Sequence, residues 1–151
     1  MRFLYTYFAA LTERQKTALF SLILLYVLSW TGSFLGLFDS ITWIDIPFHF
    51  LGGFLIGLFA IDMFKDALVG SPGILRDAVI LVGIALLVGF LWEMYEYILD
   101  IFFRDFFLSR GIKCCIGDLF DTLKDLFDDS LGGLVVYFVV RFRHPDSPMF
   151  K

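Results

Sequence analysis

An all-α fold is the class this sequence predicts: a polytopic membrane protein of four transmembrane helices behind a short N-terminal interfacial helix. Three observations carry the prediction. The chain has 151 residues, 59% of them hydrophobic, with a mean hydropathy of +0.81 and 20 phenylalanines. A core of this size cannot hide so much apolar surface from water, so lipid is the expected solvent. Four apolar runs have the ~20 residues that cross a ~30 Å hydrocarbon layer, and short polar or Pro/Gly breaks separate them.

The elements follow in order. Residues 1–10, MRFLYTYFAA, are short and aromatic and suit the membrane interface. Thr12-Glu13-Arg14-Gln15 reads as a capping box that starts the first long helix. Span one covers 17–38. It is longer than a signal-peptide core and lacks a small-x-small cleavage site, so it reads as a retained helix. Span two covers 44–64. Span three covers 76–103, after the breaker Ser71-Pro72-Gly73, and span four covers 118–140. No repeat or second domain interrupts them, so residues 1–151 read as a single membrane domain.

Charge excludes some roles and suggests an orientation. The net charge is −4 and no basic stripe exists, which disfavours nucleic acid as a partner. With four spans, Arg2, Arg14, Lys16, Lys65, Arg76, Arg141, Arg143 and Lys151 share one side. Arg104, Arg110 and Lys113 share the other. That asymmetry predicts a multi-pass protein of the cell (inner or plasma) membrane with both termini cytoplasmic. Cys114 and Cys115 are adjacent, which suits neither a disulfide nor a zinc-ligand spacing; two loop thiols are the expectation.

Span four opens with GDLFDTLKDLFDDSLGG, which holds five aspartates and Lys124. At about 100° per residue, Asp118, Asp121, Asp125, Asp129 and Gly132 fall within an arc of about 80°. Asp128 lies beside that arc, four residues after Lys124, so these two are expected to pair. Glu93, Glu96, Asp100 and Arg104 share a similar arc on span three, and Asp45 and His49 stand one turn apart on span two. In the predicted topology all three sets lie in the outer half of the bundle. A charged group at a helix centre costs about 2.5–3.5 kcal/mol to insert, so these groups must face protein, water or a cation.

Two readings of the cluster stay open. One is a metal-free polar cavity with shared protons and bound water, in which Lys124 and Arg104 neutralise two acids. The other is a metal site. His49, Glu93, Glu96, Asp118, Asp121 and Asp125 are the candidate ligands, enough for two ions with bridging carboxylates. Oxygen ligands suit Mg²⁺, Mn²⁺ or Ca²⁺, and one imidazole admits Zn²⁺ or iron. His49 and Asp45 are the candidate catalytic residues. Ser130 has no evident base partner, so no serine nucleophile is expected. Gly53 and Gly57 form a GxxxG spacing suited to close helix approach.

Asp45-Ile46-Pro47-Phe48-His49-Phe50, Trp92-Glu93-Met94-Tyr95-Glu96 and Gly117-Asp118-Leu119-Phe120-Asp121-Thr122 with Asp125 and Leu131-Gly132-Gly133 resemble the YjdF-like family of bacterial inner-membrane proteins. The likeness covers spans two to four in order. It implies that these polar positions form one site, gives Asp128 and Asp129 a less central place, and names no substrate. The wider resemblance is to VanZ-like proteins, with Asp125, Asp129 and Gly132 on their DxxxNxxG spacing. Asp129 stands there in place of asparagine, and Glu96 where those proteins tend to carry glutamine. These departures weaken any link to antibiotic tolerance.

The functional expectation is a small membrane protein with an Asp/Glu/His site that binds a divalent metal. Hydrolysis or transfer on a lipid-linked phosphate or similar amphiphile is the first reading. A proton or metal-ion pathway, and a structural accessory protein with a polar core, are the alternatives. The lipid bilayer is the expected partner, and an ion pathway would require an oligomer.

Overall fold

A computed structural model describes residues 8–64, 74–112 and 118–143. These residues are helical apart from short connections, with no strand among them. Helix α1 spans Glu13–Phe34 and α2 is a single turn, Leu37–Ser40. Helix α3 spans Asp45–Met63, α4 spans Ile74–Leu108, and α5 spans Leu119–Arg143. Most of the expected N-terminal interfacial segment, residues 1–7, lies outside the described residues, as do Cys114 and Cys115.

The capping box at the start of α1 is present. Thr12 Oγ1 accepts from Gln15 N at 3.1 Å, and Gln15 Oε1 accepts from Thr12 N at 3.0 Å. Helix α1 stops earlier than span one. Gly36 adopts a left-handed conformation, φ +67°, and the chain turns there into α2. Helix α4 overshoots span three at both ends. At about 1.5 Å per residue its 35 residues reach well beyond a ~30 Å hydrocarbon layer. Its C-terminal overhang is held by an Arg104–Asp100 ion pair and by Phe107, whose ring lies 5.7 Å from that of Trp30.

Three helices, α1, α3 and α4, are long and apolar enough to cross a membrane. The fourth expected span, α5, has the length but not the composition. Between positions 121 and 129 it carries Asp121, Lys124, Asp125, Asp128 and Asp129. Of these, Asp125, Asp128 and Asp129 are buried against the other helices, while Leu119, Phe120, Leu123 and Phe127 point outward. The helix is amphipathic because its polar face is turned into the bundle.

Helices α3 and α5 run parallel and make the most extensive contact, with α4 antiparallel to both. Backbone meets backbone at two glycines. A Cβ on Gly53 would strike the carbonyl of Asp129, and one on Gly132 would strike the Phe50 carbonyl and the Phe54 nitrogen. The GxxxG spacing on α3 therefore meets the Gly132–Gly133 pair on α5. Toward the C-terminal halves of α3 and α5 the contact becomes an apolar core of Ala60, Ile61, Leu81, Val136, Tyr137 and Val140. At that end Asp62 receives Arg14 Nη1 at 3.2 Å and Thr12 Oγ1 at 2.5 Å, which ties the start of α1 to the end of α3. Toward the other end the helices separate around a cavity.

Candidate functional site

The cavity has a volume of about 520 Å³ and is bounded by α1, α3, α4 and α5. Its polar lining comes from the three segments expected to converge: Asp45 and His49 on α3, Glu93 and Glu96 on α4, and Asp121, Lys124, Asp125 and Asp129 on α5. Helical spacing explains the convergence. Asp45 and His49 are one turn apart on α3, and Asp121, Asp125 and Asp129 occupy successive turns of one α5 face.

His49 is the hub. It is 7% exposed and meets three carboxylates. Its Nε2 lies 3.6 Å from Asp45 Oδ1 and 3.9 Å from Asp125 Oδ2, and its Nδ1 lies 3.4 Å from Asp129 Oδ2. One ligand atom each from Asp45, His49 and Asp125 fall within 4.8 Å of one another. The fold makes room for Asp129 by omitting a side chain on α4, because a Cβ on Gly89 would overlap its carboxylate.

Lys124 is the counter-charge. Its Nζ stands 2.7 Å from Asp121 Oδ1, 3.0 Å from Asp125 Oδ1 and 3.5 Å from Asp45 Oδ2. The approach to Asp125 is an ion pair without hydrogen-bond alignment, so Asp125 Oδ1 keeps an unfilled acceptor. The expected Lys124–Asp128 pair does not form. The lysine side chain reaches into the cavity, where three carboxylates draw it, and Asp128 Oδ2 is left without a hydrogen-bond donor among the described residues.

The structure distributes the candidate ligands unevenly. His49, Asp125 and Asp45 come together. Glu93 and Glu96 line the cavity on the α4 side, outside that close group. Glu93 Oε2 accepts from Thr122 Oγ1 at 3.0 Å, and Glu96 Oε1 accepts from Trp92 Nε1 at 2.9 Å. Asp121 is engaged by Lys124. Asp118 stays out of the cavity and caps α5, its Oδ1 accepting from Phe120 N at 2.9 Å and Asp121 N at 3.1 Å. Ser130 Oγ donates to Leu126 O at 2.7 Å, the back-bond common for a serine within a helix.

Two features exceed the sequence reading. Asp129 is more central than the family pattern suggested, and its signal was its place on the shared α5 arc. An aromatic wall formed by Tyr26, Trp92 and Tyr95 brings α1 to the cavity. Its tyrosine hydroxyls lie 3.1 Å apart, and no periodicity announced it.

Helices with an apolar exterior around a buried polar cavity define the class: an all-helical, multi-pass membrane protein. The chain belongs to the family described as "Predicted membrane protein (DUF2238)", which matches residues 3–146. No curated protein and no solved structure matches the chain.

Proposed function

We propose that the cavity is a divalent-cation site in the outer half of a four-span bundle, and that the protein is a metal-dependent hydrolase or transferase acting on a lipid-linked phosphate. The close approach of Asp45, His49 and Asp125 carries this reading. Metal–ligand bonds of about 2.1 Å set neighbouring ligand atoms about 3.0–3.4 Å apart. The His49 Nε2 distances of 3.6 and 3.9 Å need only slight contraction to meet that spacing. Asp129 on the other ring nitrogen supplies the carboxylate that commonly orients a metal-binding histidine. The VanZ-like spacing fits this reading as well: Asp125 faces one ring nitrogen, Asp129 the other, and Gly132 lets α3 approach.

The donor set of one imidazole and carboxylates suits Mg²⁺, Mn²⁺, Zn²⁺ or iron. Such an ion would supply a Lewis acid for a phosphoryl oxygen and a water of lowered pKa. Asp45, more exposed than Asp125, would take the proton from the attacking water through its second carboxylate oxygen. His49 would hold the ion and orient the site. Lys124 stands as a second positive charge beside it, which favours one ion over two. Leu22, Leu25 and Val88 give the same cavity an apolar flank suited to a lipid chain.

Helix α5 forms the fourth span in this reading, with its charged face inward and its phenylalanines toward lipid. Both termini lie in the cytoplasm, the side to which Arg14, Arg76, Arg141 and Arg143 belong. Labelling of Cys114 and Cys115 from the cytoplasmic side alone would reverse the orientation.

The glycine contacts and the apolar core that follow the cavity argue against a continuous ion path across the bilayer. The structural alternative has one observation in its favour, since Lys124 already gives three carboxylates a resident cation. Metal analysis of the purified protein separates these readings. One equivalent of divalent metal in the parent, lost in His49→Ala and Asp125→Asn together with phosphate release from lipid-linked phosphates, is the expected result. A parent that binds no metal overturns the proposal. Bound metal that raises thermal stability with no turnover returns the site to a structural role.

A further inference from the structure

The cavity has a second pole whose chemistry the cation triad does not use. Glu93 and Glu96 stand one turn apart on α4, and both line the cavity. Glu93 is 8% exposed, and its Oε1 meets no hydrogen-bond donor among the described residues. No basic side chain pairs with either glutamate among those residues. Lys124 is spent on Asp45, Asp121 and Asp125. A buried carboxyl oxygen left without a hydrogen-bond partner marks a place where a ligand can bind.

Tyr26, Trp92 and Tyr95 line the same cavity, and Trp92 donates to Glu96. Trp92 lies edge-on to Tyr26, with centroids 5.9 Å apart at 89°, and tilted against Tyr95 at 5.5 Å. Aromatic faces attract a cation within about 6 Å. A partner that brings an N–H donor to Glu93 Oε1 together with a positive charge would also favour the ionised form of both glutamates. A trimethylammonium carries the charge without a donor. A neutral hydroxyl carries the donor without the charge. A primary ammonium carries both.

We propose that Glu93, Glu96 and the Tyr26–Trp92–Tyr95 wall bind a primary ammonium group, so that the substrate is a phospholipid with an aminoalkyl phosphate headgroup. This rests on the cation-site reading for the phosphate, which then lies at Asp45, His49 and Asp125 while the ammonium lies at the glutamates. The same headgroup exists free in water as an aminoalkyl phosphate. The apolar flank of the cavity assigns the lipid form.

Calorimetry on the purified protein in a non-ionic detergent tests the assignment, with Mn²⁺ present and three short-chain lipids as probes: dihexanoyl phosphatidylethanolamine, phosphatidylcholine and phosphatidylglycerol. The ethanolamine lipid is expected to bind about tenfold more tightly than either other lipid, the worth of one charge-assisted hydrogen bond. Glu93→Gln and Glu96→Gln are each expected to remove most of that preference while leaving Mn²⁺ binding in place. Equal binding of the three lipids by the parent overturns the proposal. So does full preference retained in both variants, and Glu96→Gln serves if Glu93→Gln does not fold. Free O-phosphoethanolamine binding as tightly as the lipid overturns the lipid assignment. An ethanolamine preference without any Mn²⁺ binding overturns the cation reading and keeps the ammonium site. Mn²⁺ binding without the preference does the reverse.

Discussion

His49 Nδ1 lies 3.4 Å from Asp129 Oδ2, a contact between residues 80 positions apart that leaves Nε2 facing Asp45 and Asp125. A carboxylate on one nitrogen selects the tautomer that frees the other and holds the ring plane. Asp129→Asn preserves the shape beside Gly89 and removes the charge. The expected result is a fall of about 10- to 100-fold in Mn²⁺ affinity, read by calorimetry, with the fold intact. Parent-like affinity would remove Asp129 from the site.

The two ends of the aspartate series in α5 should respond differently. Asp125 is buried beside His49, whereas Asp118 is exposed and caps the helix. Asp125→Asn should abolish stoichiometric metal. Asp118→Asn should leave both metal and stability near parent values, because asparagine caps as well as aspartate. Asp118→Ala should cost about 1 kcal/mol. Thermal unfolding in detergent and metal analysis measure the pair of effects, and metal loss in Asp118→Asn would restore that residue as a ligand.

The seam between α3 and α5 leaves no room for a methyl group at Gly53. Gly53→Ala places a Cβ against the Asp129 carbonyl, so the helices must part and the His49–Asp129 contact with them. A loss of about 1–3 kcal/mol or more is expected, the scale of overpacking. Gly83 has nothing within 4 Å of an added Cβ, so Gly83→Ala should be neutral or slightly stabilising. Equal thermal stability of the two variants would refute the seam.

Lys124 pairs with Asp45, Asp121 and Asp125 from a half-buried position. Lys124→Met should destabilise the metal-free protein by about 2 kcal/mol, between the costs of breaking exposed and fully buried ion pairs. Added Mn²⁺ should then raise the unfolding temperature more in the variant than in the parent, because the ion replaces a missing charge. At a free-ion concentration 100 times Kd, binding alone adds about 2.7 kcal/mol, and chelator should remove it. A variant indifferent to Mn²⁺ and to chelator would leave the carboxylates without a cation role.

Much of the architecture was legible along the chain. An apolar run marked α3 to within a few residues, the helical spacing of the aspartates and the apolar tail after them marked α5, and Thr12 to Gln15 announced the start of α1. The helical period placed Asp121, Asp125 and Asp129 on one face, and Asp45 with His49 on another, because the backbone screw is a local property of each helix. Local rules fared worse at helix ends. Gly36 turns α1 off early, and α4 runs past the length that hydropathy alone suggested.

What lay beyond the sequence was the rotation and register between helices. Those depend on where Gly53 meets Asp129 and where Gly132 meets Phe50, contacts that exist only once α3 and α5 are side by side. They decide that Asp129 rather than Glu93 touches His49, that Lys124 turns to Asp45, Asp121 and Asp125 rather than Asp128, and that Asp118 caps a helix instead of lining the cavity. Periodicity assigns a residue to a face at a height. Only packing brings one face, at one height, against another, and a shift of one helical turn is enough to exchange every partner in the site.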